Sequence, residues 1–110
     1  MCSGDGTVRK DPRALSLWNP HIAVVLHELQ VKILEQALRV VRVGGIVSYS
    51  TCSFNPIENE AVVAAILRKF SIEAVELVEW PMNAFPGLKL RNGVNSWLVA
   101  EMTIMNNNSQ

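Results

Sequence analysis

Two cysteines hold most of the chemistry this sequence can offer. Cys52 lies in Ile46-Val47-Ser48-Tyr49-Ser50-Thr51-Cys52-Ser53-Phe54-Asn55-Pro56. The run reads as a buried strand, a thiol at its carboxyl end and a capped helix start. Thiolate is the nucleophilic form of cysteine, and a helix N-terminus favours it. Ligands of open α/β sheets bind in the crevice beyond the carboxyl ends of the strands. Cys52 is therefore a candidate nucleophile, and the local pattern fits a buried, inert cysteine equally well. Cys2 stands just before a Ser3-Gly4 turn. If a strand leads into it, Cys2 occupies the same kind of tip. Neighbouring strands lie about 4.8 Å apart, so thiols on adjacent tips would face one small substrate. Such a pair could form a disulfide, contribute two of four zinc ligands, or divide attack and release at an electrophilic carbon. A reducing compartment disfavours the first, and the lack of C-x-x-C pairs disfavours the second.

Other residues able to do chemistry give weaker signals. His21 and His27 are six apart, which does not bring them onto one helix face, and no HExxH pair is present. Both are expected to be structural, and no metal site is expected. Arg9, Lys10 and Arg13 form a short basic cluster, partly offset by Asp5 and Asp11. It is either solvated surface or a phosphate contact. Glu58 and Glu60 fall in the first turn of a predicted helix, where the dipole favours acids, so a helix-stabilising role is expected. Gln30 carries no signal by itself.

The elements that must position the thiols come from the rest of the chain. Its 110 residues suffice for one small domain with a modest core, and 49% hydrophobic content favours a globular chain. Ten basic and ten acidic residues give a formal net charge of +0, which offers no reason to expect a nucleic-acid partner. No signal-peptide core and no run near the ~20 apolar residues of a membrane span is present, so an intracellular, reducing location is the default. Turn-forming residues begin at once (Ser3-Gly4-Asp5-Gly6), as if a preceding strand had been cut away, so a fragment is expected.

Asn19-Pro20 is a helix-start signal. Over 20–43 the apolar positions Ile22, Val25, Leu26, Leu29, Ile33, Ala37, Leu38 and Val41 recur at three- and four-residue steps, predicting one buried stripe on a long helix ended by Gly44-Gly45. Glu28 with Lys32, and Glu35 with Arg39, are acid-first pairs four apart. Asn55-Pro56 with Glu58 forms a capping-box pattern that predicts a second helix over 56–69. A short strand is expected over 72–78, broken at Trp80-Pro81, with loop to 96, a further strand over 97–100 and a frayed tail. Alternating strands and helices imply parallel pairing with right-handed crossovers, hence an α/β architecture.

Met1-Cys2-Ser3-Gly4-Asp5-Gly6-Thr7 with Arg9-Lys10, followed by Tyr49-Ser50-Thr51-Cys52-Ser53 and Asn55-Pro56-Ile57-Glu58-Asn59-Glu60, resembles the Sun-domain RNA (cytosine-5) methyltransferases. The similarity is greatest to the eukaryotic tRNA-modifying branch. Leu26-His27-Glu28-Leu29-Gln30 and Pro86-Gly87-Leu88-Lys89 also match, and the resemblance runs from Cys2 to about Trp97. It implies the carboxyl-side half of a Rossmann-like class I S-adenosylmethionine-dependent methyltransferase fold, with 1–104 a partial catalytic domain and 105–110 a polar tail. It implies that Cys52 adds to carbon 6 of a flipped cytosine and that Cys2 assists release. Carbon 5 takes the methyl group of S-adenosylmethionine in this family. Arg9 and Lys10 become RNA contacts by the same analogy, tRNA the partner, and the nucleus or nucleolus the compartment, with the cytoplasm an alternative.

The sequence also departs from the family. Met1 stands in place of the proline of Asp-Xaa-Pro-Cys, and the aspartate is absent. The glycine-rich donor loop, the acidic ribose-binding position and the catalytic lysine belong to a first half that is not found here, so activity of these residues alone is not expected. Two rival readings remain. One is a non-catalytic interaction module that kept the scaffold, which the near-zero charge suits. The other is a DNA cytosine-5 methyltransferase, whose Pro-Cys thiol attacks and whose Glu-Asn-Val motif is similar to Glu58-Asn59-Glu60. The position of that triplet directly after Thr51-Cys52 fits the RNA family better.

Overall fold

Asn19 and Pro20 open the longest element. The structure, a computed structural model, describes residues 1–71, 73–78 and 84–97. A 3₁₀ turn at Asp5–Thr7 and a short helix α1 (Arg13–Ser16) lead to α2 (Pro20–Val40), and α3 (Glu60–Lys69) follows a long irregular stretch. The Asn19 side chain accepts from His21 N at 2.9 Å, and Pro20, which has no N–H to leave unpaired, fills the first helical position. Helix α2 ends at Val40 rather than Val43. Val41 turns extended (φ −70°, ψ 142°), and Gly44 (φ +74°) lies in a turn closed by Gly45 N to Arg42 O at 2.9 Å.

Helices α2 and α3 pack on each other through Leu34, Val62 and Ile66, with Val31, Leu38, Val47, Tyr49 and Phe70 around them. The predicted stripe is not the buried one. Ile22, Val25, Leu29 and Ile33 are exposed, and the buried positions of α2 are Ala23, Gln30 and Leu34. Spaced seven and four apart, these share one helix face with His27 and Leu38. Two of its members are polar, which hides the face from an apolar count. Glu35 tethers the helices at one end, accepting from Arg39 one turn on and from Lys69 of α3 at 2.6 Å.

The expected central strand is extended but unpaired. Residues 46–50 join no sheet, Ile46 faces solvent, and no β-strand occurs among the described residues. A strand's backbone groups need a neighbour, and the described residues offer none. The 72–78 expectation fares likewise where it can be followed: 73 and 74 form a turn and 75–78 are unpaired. Ile72, Trp80-Pro81, the strand beyond Trp97 and the tail 105–110 lie outside the described residues. Among the described residues, no helix is long and apolar enough to cross a membrane.

Helix α3 starts at Glu60, not at Pro56. Residues 56–59 instead form overlapping turns (Glu58 N to Asn55 O, 3.0 Å; Ala61 N to Pro56 O, 2.9 Å). Asn55 Oδ1 does accept from Ile57 N at 3.0 Å, but it closes a turn ahead of the helix instead of capping it, since the N-cap position belongs to Asn59. Glu58, however, does not reach back to Asn55 N, which donates to Ser53 Oγ instead. The capping-box reading of Glu58 is thus corrected: its side chain turns inward.

Candidate thiol-pair site

The two cysteine loops cross, and a glycine lets them. Gly6 N donates to Cys52 O at 2.7 Å, and a Cβ on Gly6 would lie 2.1 Å from that oxygen, so any side chain there would push the loops apart. Phe54 N donates to Asp5 Oδ1 at 2.8 Å, a second tie between them. At the crossing, Cys2 Sγ and Cys52 Sγ are 3.0 Å apart. Cys2 is half-buried, Cys52 is exposed, and both are free thiols.

Below the sulfurs lies Glu58, fully buried. Its carboxylate accepts from Ser3 N (2.7 Å), Ser3 Oγ, Ser53 Oγ (2.7 Å) and Gln30 Nε2 (3.1 Å). Ser3 adjoins Cys2 and Ser53 adjoins Cys52, so one side chain grips the backbone or hydroxyl beside each thiol. Gln30 Nε2 also donates to Met1 O at 3.1 Å, which ties the N-terminal arm to α2, while Gln30 Oε1 is buried without a partner. Tyr49 donates its hydroxyl to Glu58 O at 2.6 Å, and His27 Nδ1 donates to Ile57 O at 2.8 Å. Asn59 braces the other side, donating to Ser53 O and Asn55 O and accepting from Thr51 Oγ1.

The electrostatics follow from these contacts. Burial pushes the Glu58 carboxyl up, but the donors from Ser3, Ser53 and Gln30 outweigh it and hold the group below the ordinary carboxylate range. Burial likewise raises Cys2, yet hydrogen bonds from the Cys52 thiol and from the backbone of Cys52 and Gly4 bring it below the ordinary thiol value. Cys52 is raised, chiefly by its bond to Cys2 and then by desolvation. Of the two sulfurs, Cys52 therefore holds its proton more tightly and Cys2 gives it up more readily. Tyr49 is pushed up to about 12 by burial and by the negative charges of Glu58 and Cys2, so it stays a donor.

Of the sequence-predicted residues, the structure brings Cys2 and Cys52 together. Arg9 and Lys10 lie apart from the sulfurs' network, exposed on the turn after Asp5–Thr7. Arg13 is spent on Asp11, with Nε to Oδ1 at 2.9 Å. An open hollow of about 250 Å³ adjoins the Cys2 loop, lined by Ser3, Asp5, Leu17, Trp18 and neighbours but by neither thiol. Sequence reasoning missed Gln30 and the inward role of Glu58. The signal was the face shared by Ala23, His27, Gln30 and Leu34, whose polar members obscured it. Among the described residues, no group of three or more His, Cys, Asp or Glu could hold a metal.

Crossed loops thus bring two free thiols together at the surface, and comparison with known proteins places the chain. It belongs to the 16S rRNA methyltransferase RsmB/F family, whose model matches residues 1–108. Members of this family are S-adenosylmethionine-dependent methyltransferases. The chain is 43% identical over 103 residues to the multisite-specific tRNA:(cytosine-C(5))-methyltransferase of Saccharomyces cerevisiae, covering 94% of this chain and 15% of that protein. It is 46% identical over 99 residues to the tRNA (cytosine(34)-C(5))-methyltransferase of Drosophila melanogaster (90% and 13%). It is 38% identical over 88 residues to the ribosomal RNA small subunit methyltransferase F of Serratia proteamaculans (80% and 18%). The chain thus spans less than a fifth of these relatives' length. No solved structure matches it.

The residues present do not fit the methyl donor. Glu58, the one buried carboxylate among the described residues, is saturated by its own neighbours, and Asp5 is committed to Phe54 N. The positive-φ glycines Gly4, Gly44 and Gly87 are scattered singly rather than gathered in one loop. No cradle for S-adenosylmethionine forms among the described residues.

Proposed function

We propose that this chain is the thiol-bearing segment of an RNA cytosine-5 methyltransferase acting on tRNA, with Cys52 as nucleophile and Cys2 as its proton partner. The observation that carries the reading is the 3.0 Å separation of the two sulfurs at an accessible loop crossing. The relatives' tRNA substrates support the choice of RNA. An α/β Rossmann-like fold for the whole domain rests on the family.

The chemistry open to the pair is balanced at each sulfur. As Cys52 Sγ bonds to carbon 6 of a flipped cytosine, its proton passes to the Cys2 thiolate and the C5=C6 pair moves onto carbon 5. Release is an elimination: water takes the proton from carbon 5, that C–H pair re-forms C5=C6, and the C6–S pair returns to Cys52 Sγ, which takes back the proton held by Cys2. Methyl transfer between the two draws on no residue described here. Arg9 and Lys10, exposed beside the Cys2 loop, suit the RNA phosphates, a contact type that positions without reading sequence.

Incubation with tRNA carrying 5-azacytidine tests the assignment. A covalent adduct mapped to Cys52 by mass spectrometry, absent in Cys52→Ala and retained in Cys2→Ala, is the expected result. An adduct on Cys2 that persists in Cys52→Ala would reverse the roles. Charge-reversing Arg9 and Lys10 should weaken tRNA retention in a filter assay and flatten its salt dependence.

A further inference from the structure

A carboxylate with no exposed surface is costly unless fully hydrogen-bonded. Glu58 is such a group; among the described residues no cation pairs with it, and its donors Ser3, Gln30 and Ser53 are neutral. A residue serving only the helix dipole has no need of burial; Glu60 nearby, in the first turn of α3, is only half-buried and, among the described residues, takes a single donor, Val94 N. The donors of Glu58 come from three places in the sequence. Ser3 follows Cys2, and Ser53 follows Cys52, while Gln30 holds Glu58 and Met1 O with one amide. Cys2 belongs to a short arm whose ordering must be enforced against backbone entropy. The described ties on that arm are Gln30 to Met1 O, the two Ser3 bonds to Glu58, Ser3 Oγ to Ser53 Oγ at 3.4 Å and the sulfur contact itself. Gly6 N to Cys52 O and Phe54 N to Asp5 Oδ1 fasten the loop just beyond it.

We propose that Glu58 is the positioning residue of the thiol pair: by gripping Ser3 and Ser53 at once, its buried carboxylate sets the distance between Cys2 and Cys52. The proposal rests on the reading of these thiols as a working pair, and it concerns their geometry, so it can be measured without RNA or methyl donor. Closing the pair with glutathione disulfide gives one intramolecular disulfide and two glutathione thiols, and the equilibrium constant is the effective concentration of one thiol at the other. Holding Cys2 over Cys52 makes that concentration high, and releasing the arm lowers it.

The test equilibrates the 110-residue chain in glutathione redox buffers and reads the Cys2–Cys52 disulfide by mass spectrometry after acid quench. Glu58→Ala and the double variant Ser3→Ala/Ser53→Ala should each lower the effective concentration by about tenfold or more. Glu58→Gln, which keeps an acceptor for Gln30, should restore part of the loss. Glu60→Gln, which removes a carboxylate from the adjoining turn but no contact with either serine, should change nothing. A second readout separates positioning from general packing. Because the Glu58 charge opposes the Cys2 thiolate, Glu58→Gln should shift the pH midpoint of Cys2 alkylation downward. An unchanged effective concentration in Glu58→Ala, with its helical circular dichroism intact, would overturn the proposal. If that variant does not fold, the double serine variant decides by the same criterion. A sensitive thiol equilibrium together with a 5-azacytidine adduct on Cys2 that persists in Cys52→Ala would keep Glu58 in this role and reverse the assignment of nucleophile instead.

Discussion

The helix pair and the loop crossing are held together by different physics. Between α2 and α3 the contact is apolar and thin, built on Leu34, Val62 and Ile66 with half-buried neighbours. At the crossing the contact is polar and dense: Ser3 and Gln30 reach Glu58 from distant segments, and Ser53 and Asn59 brace it locally. Apolar packing is non-directional and tolerates small shifts, whereas hydrogen bonds fix distances and angles. The molecule therefore places direction where two sulfurs must meet and leaves non-directional packing to support it. Substitutions in the two regions should separate stability from thiol geometry.

The largest loss of stability is expected from the apolar side. Leu34→Ala removes a core side chain and should cost about 2–5 kcal/mol, read from urea unfolding by circular dichroism. While the chain remains folded, the Cys2–Cys52 effective concentration should hold. Acid attacks the other region. The folded Glu58 carboxyl lies below its ordinary value of 4.5, so its stabilisation is complete above that value. It is lost as pH falls through 4.5 to the depressed folded value. Urea midpoints measured from pH 7 down to pH 3 should fall for the wild type and fall less for Glu58→Gln. Equal slopes would mean that the buried carboxylate contributes nothing specific.

How much of this was legible in the sequence depends on whether the signal was local. The start of α2 was legible because Asn19-Pro20 is a local cap, and Glu35 with Arg39 because they are one turn apart. The buried face of α2 was not. Its neighbour α3 selects it, and its polar members Gln30 and His27 bond to residues 57 and 58, which no periodicity encodes. Glu58 misled for a related reason. Asn55-Pro56-Ile57-Glu58 satisfies the local capping pattern, but Ser3 and Ser53 offer the carboxylate more than one backbone N–H could. The strand expected at 46–50 depends on a partner strand, and β-branched residues alone do not supply one. Meeting of the two thiols was anticipated from strand tips, yet here a glycine-mediated loop crossing achieves it.

Gly6 offers a sharper cut between the two regions. In Gly6→Ala the new methyl would sit 2.1 Å from Cys52 O, where backbone rather than a yielding side chain must move. Overpacking of this kind typically costs about 1–3 kcal/mol. The cost falls on the crossing, so the variant should lose thiol effective concentration out of proportion to its loss of stability. Leu34→Ala should do the reverse. If both variants moved both quantities in parallel, the distinction between supporting core and directing seam would fail.

The smallest expected effect lies farthest from the sulfurs in character. Asn19 caps α2 through Oδ1 to His21 N at 2.9 Å, on an exposed turn that shares no hydrogen bond with Glu58 or the cysteines. Asn19→Ala should cost about 0.5–2 kcal/mol, since one N-terminal amide loses its acceptor while Pro20 still presets the first turn. The urea midpoint should drop modestly, and the thiol equilibrium should not change. That pairing makes the variant useful despite its size. The crossing hangs on α2 through Gln30, three helical turns further on, so a thiol response to Asn19→Ala would show that fraying of the helix start reaches the seam, and direction at the site would then depend on the whole helix rather than on Glu58 and its donors.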